Sequence, residues 1–266
     1  MHAQDSKRLS QQRFGRYAQG YVTSRNHAKG AELDVLVEIA NPAADWTVLD
    51  VATGGGHTAL KFAPFVARVI ATDLTPAMLD AAAAFVTAQG VRNVTFQQAD
   101  AESLPFADAC FDLVTCRVAC HHFPAVQRFV EESARVLKPG GMLLVQDHVL
   151  PDDVRTARYI DDFERLRDPS HHCAYSESDW RAMFAGAGLA VEHAGQLLRV
   201  HSFREWTAMQ HCAPAVTKRL VEMVVAAPEA VLRWMQPVSF GTADAMFVNH
   251  HIVIAGRKPA GAAAQV

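Results

Sequence analysis

The chain has 266 residues, half of them hydrophobic, and a formal net charge of −3 at pH 7. That length suits one large α/β domain, and that charge leaves no basic footprint for nucleic acid. Five cysteines (Cys110, Cys116, Cys120, Cys173 and Cys212) without a CxxC pair argue against a disulfide framework and for a reducing, cytoplasmic setting, and the polar opening MHAQDSKRLSQQRFGRYAQG and short apolar runs predict neither secretion nor membrane insertion.

In chain order, Phe14, Tyr17 and Tyr21 recur along a helix-compatible opening, followed by Ser24 and His27 before Gly30. Residues 1–45 read as a helical cap, which either closes over a ligand site or packs an amphipathic face on a sheet edge. Trp46 to Val51 is a short apolar run closed by glycines and followed by a helix from His57 to Phe65: strand, tight turn, helix. The unit recurs, with Ala67 to Ala71 as a strand leading to Asp73, and Thr75-Pro76 opening an Ala-rich helix that Gly90 ends. Further strands are expected at Val94 to Gln97, Phe111 to Cys116 and, after a turn LKPGG, Met142 to Gln146, with a helix from Val126 to Leu137 between the last two. Strands alternating with helices predict a parallel sheet covered on both faces.

Beyond the fifth strand, Asp152 to Leu166 and Glu177 to Ala187 read as helices, the latter ending at Gly188, and Ala190 to Val200 as a sixth strand. A helical stretch from Ser202 to Pro237, broken at Pro214 and Pro228, precedes a closing strand from Phe247 to Ala255. The domain then spans 46–258 with helical inserts near 151–176 and 202–237, and the Ala-rich 259–266 is expected to be a flexible tail.

Two features point to a nucleotide-like ligand. The turn Thr53-Gly54-Gly55-Gly56 directly follows a buried strand, where missing side chains let a ligand approach the backbone and the next helix N-terminus. Asp73 ends the second strand about 20 residues on, where a carboxylate accepts hydrogen bonds from ribose hydroxyls. A glycine turn and a capping Asp also occur as plain structure, and GGGHTA satisfies GxGxxA, so a dinucleotide oxidoreductase is a rival reading.

Longer stretches favour a third reading over both. VLDVATGGGHTAL, VIATDLTPAML, FQQADAESLPF, and CFDLVTCRVACHHF with RVLKPGGMLLV resemble, in order and spacing, the successive motifs of class I S-adenosylmethionine (SAM)-dependent methyltransferases. The chain is similar in particular to the methyltransferase type 11 branch that includes the ubiquinone and menaquinone methyltransferases, and FGRYAQGYVTSRNHAKG fits the opening of a subgroup of it. The resemblance covers about the first 150 residues strongly and the remainder loosely. It implies a Rossmann-like, doubly wound seven-stranded sheet with one antiparallel strand, SAM as cofactor, and a small-molecule methyl acceptor, a hydroxylated aromatic or quinone-like compound.

By the same resemblance Ala52, Thr53, Gly54 and Gly56 bracket the methionine part of SAM, Asp73 holds the ribose, and Leu74 lies against the adenine. Asp100 accepts from the adenine amino group, the Ala101 backbone addresses the ring, and Arg117 lies near the cofactor carboxylate or reaction centre. Tyr21, His27, Asp50, Met78 and Glu102 complete the expected cofactor set. Ala52-Thr53 replaces the more usual Gly-Cys and leaves the glycine turn intact.

Methyl transfer from a sulfonium is an in-line displacement that needs alignment above all. For a phenol, enol or acidic carbon a base helps, and His121 or His122 after the fourth strand is placed for it; the plain alternative is that one packs or caps the next helix. The doublets His121-His122, His171-His172 and His250-His251, with Cys173 and Asp147-His148 besides, raise the idea of a metal, but adjacent strand residues point to opposite faces and there is no HExxH or cysteine-pair spacing, so none is expected. Trp206, Met209, Met223, Trp234 and Met235 in the second insert either line an apolar acceptor pocket or pack a core. The different-class alternative is a SAM-binding protein without methyl transfer. Oligomeric state is not legible.

Overall fold

The computed structural model describes residues 3–23 and 31–260, with side chains placed for 4–16 and 32–260. The expectations on Tyr17 and Tyr21 as side chains, on Ser24 and His27, and on residues 261–266 of the tail lie outside that description. The strands are β1 (Thr47–Val51), β2 (Arg68–Asp73), β3 (Val94–Gln98), β4 (Phe111–Arg117), β5 (Leu137–Leu150), β6 (Tyr175–Ser176), β7 (Ala190–Ser202) and β8 (Met246–Arg257). Seven of them form one sheet in the order β3-β2-β1-β4-β5-β8-β7, and the two-residue β6 pairs beside β5. All pairings from β3 to β5 are parallel, with Leu49 opposite Val114 and Leu113 opposite Met142. β8 runs antiparallel to both β5 and β7. The chain leaves β7 at one end of the sheet, forms helices there, and re-enters from that end, so its last strand has to run backwards.

The helices are α1 (Ala3–Thr23), α2 (Ala31–Ala40), α3 (His57–Phe62), α4 (Pro76–Ala88), α5 (Val126–Val136), α6 (Val154–Arg167), α7 (Glu177–Gly186), α8 (Phe203–Met209), α9 (Pro214–Val225) and α10 (Glu229–Met235). Their starts follow local chemistry. Pro76 and Pro214 open α4 and α9 where a missing N–H costs nothing, Asp153 caps α6 by accepting from Thr156 N, and Ser176 with Asp179 closes a capping box on α7.

Strand periodicity assigns the two cores. Leu49 and Val114 face one side with Phe129 of α5 and Trp180 and Phe184 of α7. Val48 and Leu113 face the other with Leu36 of α2 and Phe62 of α3. A third apolar cluster joins the inserts to the start of β8 through Phe163, Trp206, Leu220, Val231 and Phe247. The LKPGG turn expected before the fifth strand is instead the start of β5, with Leu137 opposite Phe111 and a register shift after it. Lys138 pairs with Asp112 at 2.8 Å, and Gly141 approaches Lys138 O and Asp112 O so closely that a Cβ would stand 3.0 and 3.1 Å from them, so the turn is stitched into the sheet.

Candidate active site

β1 is flanked by β2 on one side and β4 on the other, so successive connections leave it in opposite directions. This switch point opens a crevice at the C-terminal ends of β1 and β4, the usual ligand position in such sheets. A large pocket lies there, lined by the β1 loop, Asp73, Asp100, Arg117 and a group of histidines. Two non-glycine residues at its rim, Ala52 (φ 52°) and Val118 (φ 55°), adopt left-handed backbone conformations. For the β-branched Val118 this is a strained conformation, of the kind held at functional sites by surrounding structure.

On the first half of the pocket, Ala52, Thr53 and Gly54 present the loop to the cavity, Gly54 in the left-handed region at φ 54°. Gly56 does not line the pocket. Its missing side chain lets α3 approach α4, since a Cβ there would meet Val86 Cγ2 at 3.1 Å and Ala82 Cβ at 3.2 Å. Asp50 is also behind the loop: it is 1 % exposed and accepts from Thr53 Oγ1 (2.6 Å) and Thr115 Oγ1 (2.8 Å). Burial raises its carboxyl to about 6 against those hydroxyl donors. Gly56 and Asp50, which the resemblance counts among the cofactor residues, stand behind the loop that lines the pocket and support it.

Asp73 reaches the pocket while accepting from Gly54 N (3.1 Å) and Thr75 N (2.8 Å), and burial pushes its carboxyl up. Leu74, Met78 and Ala101 line the same half. Asp100 and Glu102 do too, and both grip Lys7 of α1, at 2.6 and 2.5 Å. Burial opposes the Lys7 charge, but the two carboxylates hold its ammonium above its ordinary range. Arg117 lines the pocket and donates from Nε to Thr58 Oγ1 at 3.2 Å; burial, then the Arg199 charge, lowers its pKa.

The other half is built from histidines. His121 and His122 sit in a 3-10 turn after β4, both on the pocket wall. Asp147, 1 % exposed at the end of β5, clamps the first: it accepts from His121 Nδ1 at 2.6 Å, His121 N at 3.0 Å and His148 N at 2.7 Å. Burial disfavours both charges, yet their mutual attraction raises His121 and holds Asp147 at about 2. His122 donates from Nδ1 to Ser170 O and meets Phe14 of α1 edge-on at 4.9 Å; burial, then its charged neighbour His121, lowers it to about 3. Facing them, His171 is bonded to Asp161 through Nε2 at 2.6 Å and stacks 5.2 Å from His121. His148 and His251 complete the row, and burial holds both well below the ordinary imidazole range.

Sequence motifs pointed to neither Lys7, Asp147, His148, His171 nor His251, because these come together from α1, β5, an insert loop and β8. Their only local signal was the Asp147-His148 and histidine doublets. The apolar set from the second insert divides: Trp206 and Met209 line the pocket, whereas Met223 and Met235 pack in the insert core and Trp234 stacks on His250 at 3.8 Å.

A methyltransferase domain model of the type 11 kind matches residues 49–145. The uncharacterized methyltransferase YcgJ of Bacillus subtilis is 44% identical over 179 residues, 67% of this chain and 71% of that one. This chain belongs to the class I methyltransferases. The crystal structure of YcgJ superposes with a TM-score of 0.83 at 36% identity, covering 86% of this chain and 98% of the other. The ubiquinone/menaquinone biosynthesis C-methyltransferase UbiE of Zymomonas mobilis is 33% identical over 108 residues, 41% of this chain and 45% of its own. For a class I methyltransferase, the third glycine of the GxGxxA-like stretch needs no dinucleotide: Gly56 is explained by helix packing. Among the described residues no helix is long and apolar enough to cross a membrane.

Proposed function

We propose that this methyltransferase uses SAM to methylate a small, hydroxyl-bearing acceptor, an aromatic or quinone-like compound. The observation that carries the reading is one continuous pocket with the glycine loop, Asp73 and Asp100 on one side and the His121–Asp147 pair on the other. Ala52, Thr53 and Gly54 would hold the methionine portion, Asp73 the ribose, Leu74 and Met78 the adenine face, Asp100 and Ala101 its edge, and Arg117 the cofactor carboxylate. The sulfonium methyl would then face the histidine half. SAM held there would supply the methyl group, its S–CH3 bond giving way to a bond to the acceptor oxygen, and the pocket would contribute alignment above all.

Ionisation of the acceptor falls to the His121–Asp147 pair rather than to His122, whose charged form burial disfavours. Arg167 and Arg199, with Asn249 and His201, make the acceptor end polar, which suits a hydroxylated ring better than a long hydrocarbon tail. The test is ligand stabilisation followed by turnover. S-adenosylhomocysteine at one hundred times its Kd should add about 2.7 kcal/mol to folding stability, and NADH nothing; a shift with NADH alone would overturn the reading. Production of S-adenosylhomocysteine from SAM with simple phenols and hydroquinones is the expected second result. Cofactor binding without turnover across that panel would favour a SAM-binding protein that does not transfer methyl groups.

A further inference from the structure

We propose that the His121–Asp147 pair ionises the acceptor through a bound divalent transition-metal ion, held by the imidazoles of His121 and His148 and the carboxylate of Asp147. Each of the three offers one ligand atom, and these atoms lie within 4.8 Å of one another. On an ion with bonds of about 2.1 Å, ligand atoms stand roughly 3 Å apart, so modest side-chain rotation closes the group. Two imidazoles and one carboxylate leave coordination positions open, the pattern of catalytic sites rather than of closed structural ones. His121 and His148 both line the pocket, so those positions face the acceptor.

Two further observations set this group apart from packed histidines. Among the described residues the His148 ring has no hydrogen-bond partner, and Glu164 stands 3.9 Å from its Nδ1. Beside it, at a ring separation of 4.7 Å, His251 is 1 % exposed and its Nδ1 is buried without a partner. His148 is only partly buried and lines the pocket, so its ring can reach an incoming ion, whereas the His251 nitrogen is desolvated without compensation. Nitrogen donors select zinc-like ions over magnesium or calcium, which prefer all-oxygen sites.

Any proton on the coordinating ring nitrogen would leave to solvent as that nitrogen's lone pair passed to the ion. A hydroxyl bound at the open position would lose its proton to water far more readily than a free one, since a divalent ion lowers the pKa of bound oxygen. His121 would then be a ligand and not a base. The use of the ion rests on the methyltransferase reading of the pocket; the site itself does not.

The experiment is titration of tag-free, full-length protein, stripped with chelator, with Co2+ and with Zn2+, followed by calorimetry and by the visible absorption of Co2+. One equivalent should bind, with no competition from Mg2+. His148→Ala should weaken binding by roughly 100-fold or more, whereas His193→Ala, which removes an exposed imidazole on β7, should leave it unchanged. Asp147→Asn should lose binding too, but Asp147 also accepts two backbone N–H groups. His148→Ala is therefore the deciding variant, with its thermal transition recorded alongside. No saturable binding, or equal affinity in His148→Ala, would overturn the proposal and return His121 to the role of base. S-adenosylhomocysteine binding in the same samples tests the cofactor reading separately.

Discussion

Both carboxylate oxygens of Asp73 accept backbone hydrogen bonds, from Gly54 and from Thr75, so substitution there acts on the loop as well as on any ribose. Asp73→Ala should weaken S-adenosylhomocysteine binding by about ten- to a hundredfold, the range of a charge-assisted hydrogen bond. Asp73→Asn keeps one acceptor and should weaken it less; calorimetry giving unchanged affinity for a folded Asp73→Ala would reject the role. Asp50 acts on stability instead. Its carboxyl is raised from 3.8 to about 6 in the folded chain, so its contribution is fully present below pH 4 and fades as pH rises through 6. In Asp50→Asn that loss is absent, and Thr53 and Thr115 hydroxyls can turn to accept from the amide. Denaturant unfolding should therefore show wild type losing on the order of 2–3 kcal/mol relative to Asp50→Asn between pH 4 and 7.5. A difference that does not vary with pH would reject this account.

At the scale of elements, α1 is the piece whose role its own pattern left open. Its aromatic spacing served a lid or an edge helix equally, but Lys7 on Asp100 and Glu102, Phe14 on His122, and Arg13 on Asp168 (3.3 Å) and Gln210 (2.8 Å) tie it across both halves of the pocket. Among its described side chains, Phe14 packs against Met78 and Ala81. Deleting residues before Ala31 should therefore keep a cooperative thermal transition, weaken S-adenosylhomocysteine binding, and abolish methyl transfer. Wild-type affinity in the truncated protein would remove α1 from the site, and loss of folding would make it a structural element.

For the whole molecule, both inserts leave the sheet at the pocket end and share one core, in which Trp206 stacks on Phe163 at 5.1 Å, packs against Phe247, and carries Arg167 over its ring at 4.3 Å. Trp206→Ala should cost about 3–5 kcal/mol of unfolding free energy, as large buried truncations do. The same change opens the acceptor wall, because Trp206 also lines the pocket. A loss below 1 kcal/mol would mean that the inserts fold independently of the sheet.

The local signals of this chain wrote its strands and helices plainly: short apolar runs, the glycine turn after β1 and Thr75-Pro76 act over a few residues and need no distant partner. The glycine turn and Asp73 were legible for the same reason, since each of these pocket-lining residues sits at a fixed offset from a strand end. Gly56 and Asp50 stand behind the loop rather than on the pocket wall, because a motif records that a residue matters without saying which way it faces. The histidine half of the pocket was decided only by tertiary structure. His121, Asp147, His171 and His251 approach through β4, β5, an insert loop and a reversed β8, and sequence spacing carries no information about groups brought together by strand order.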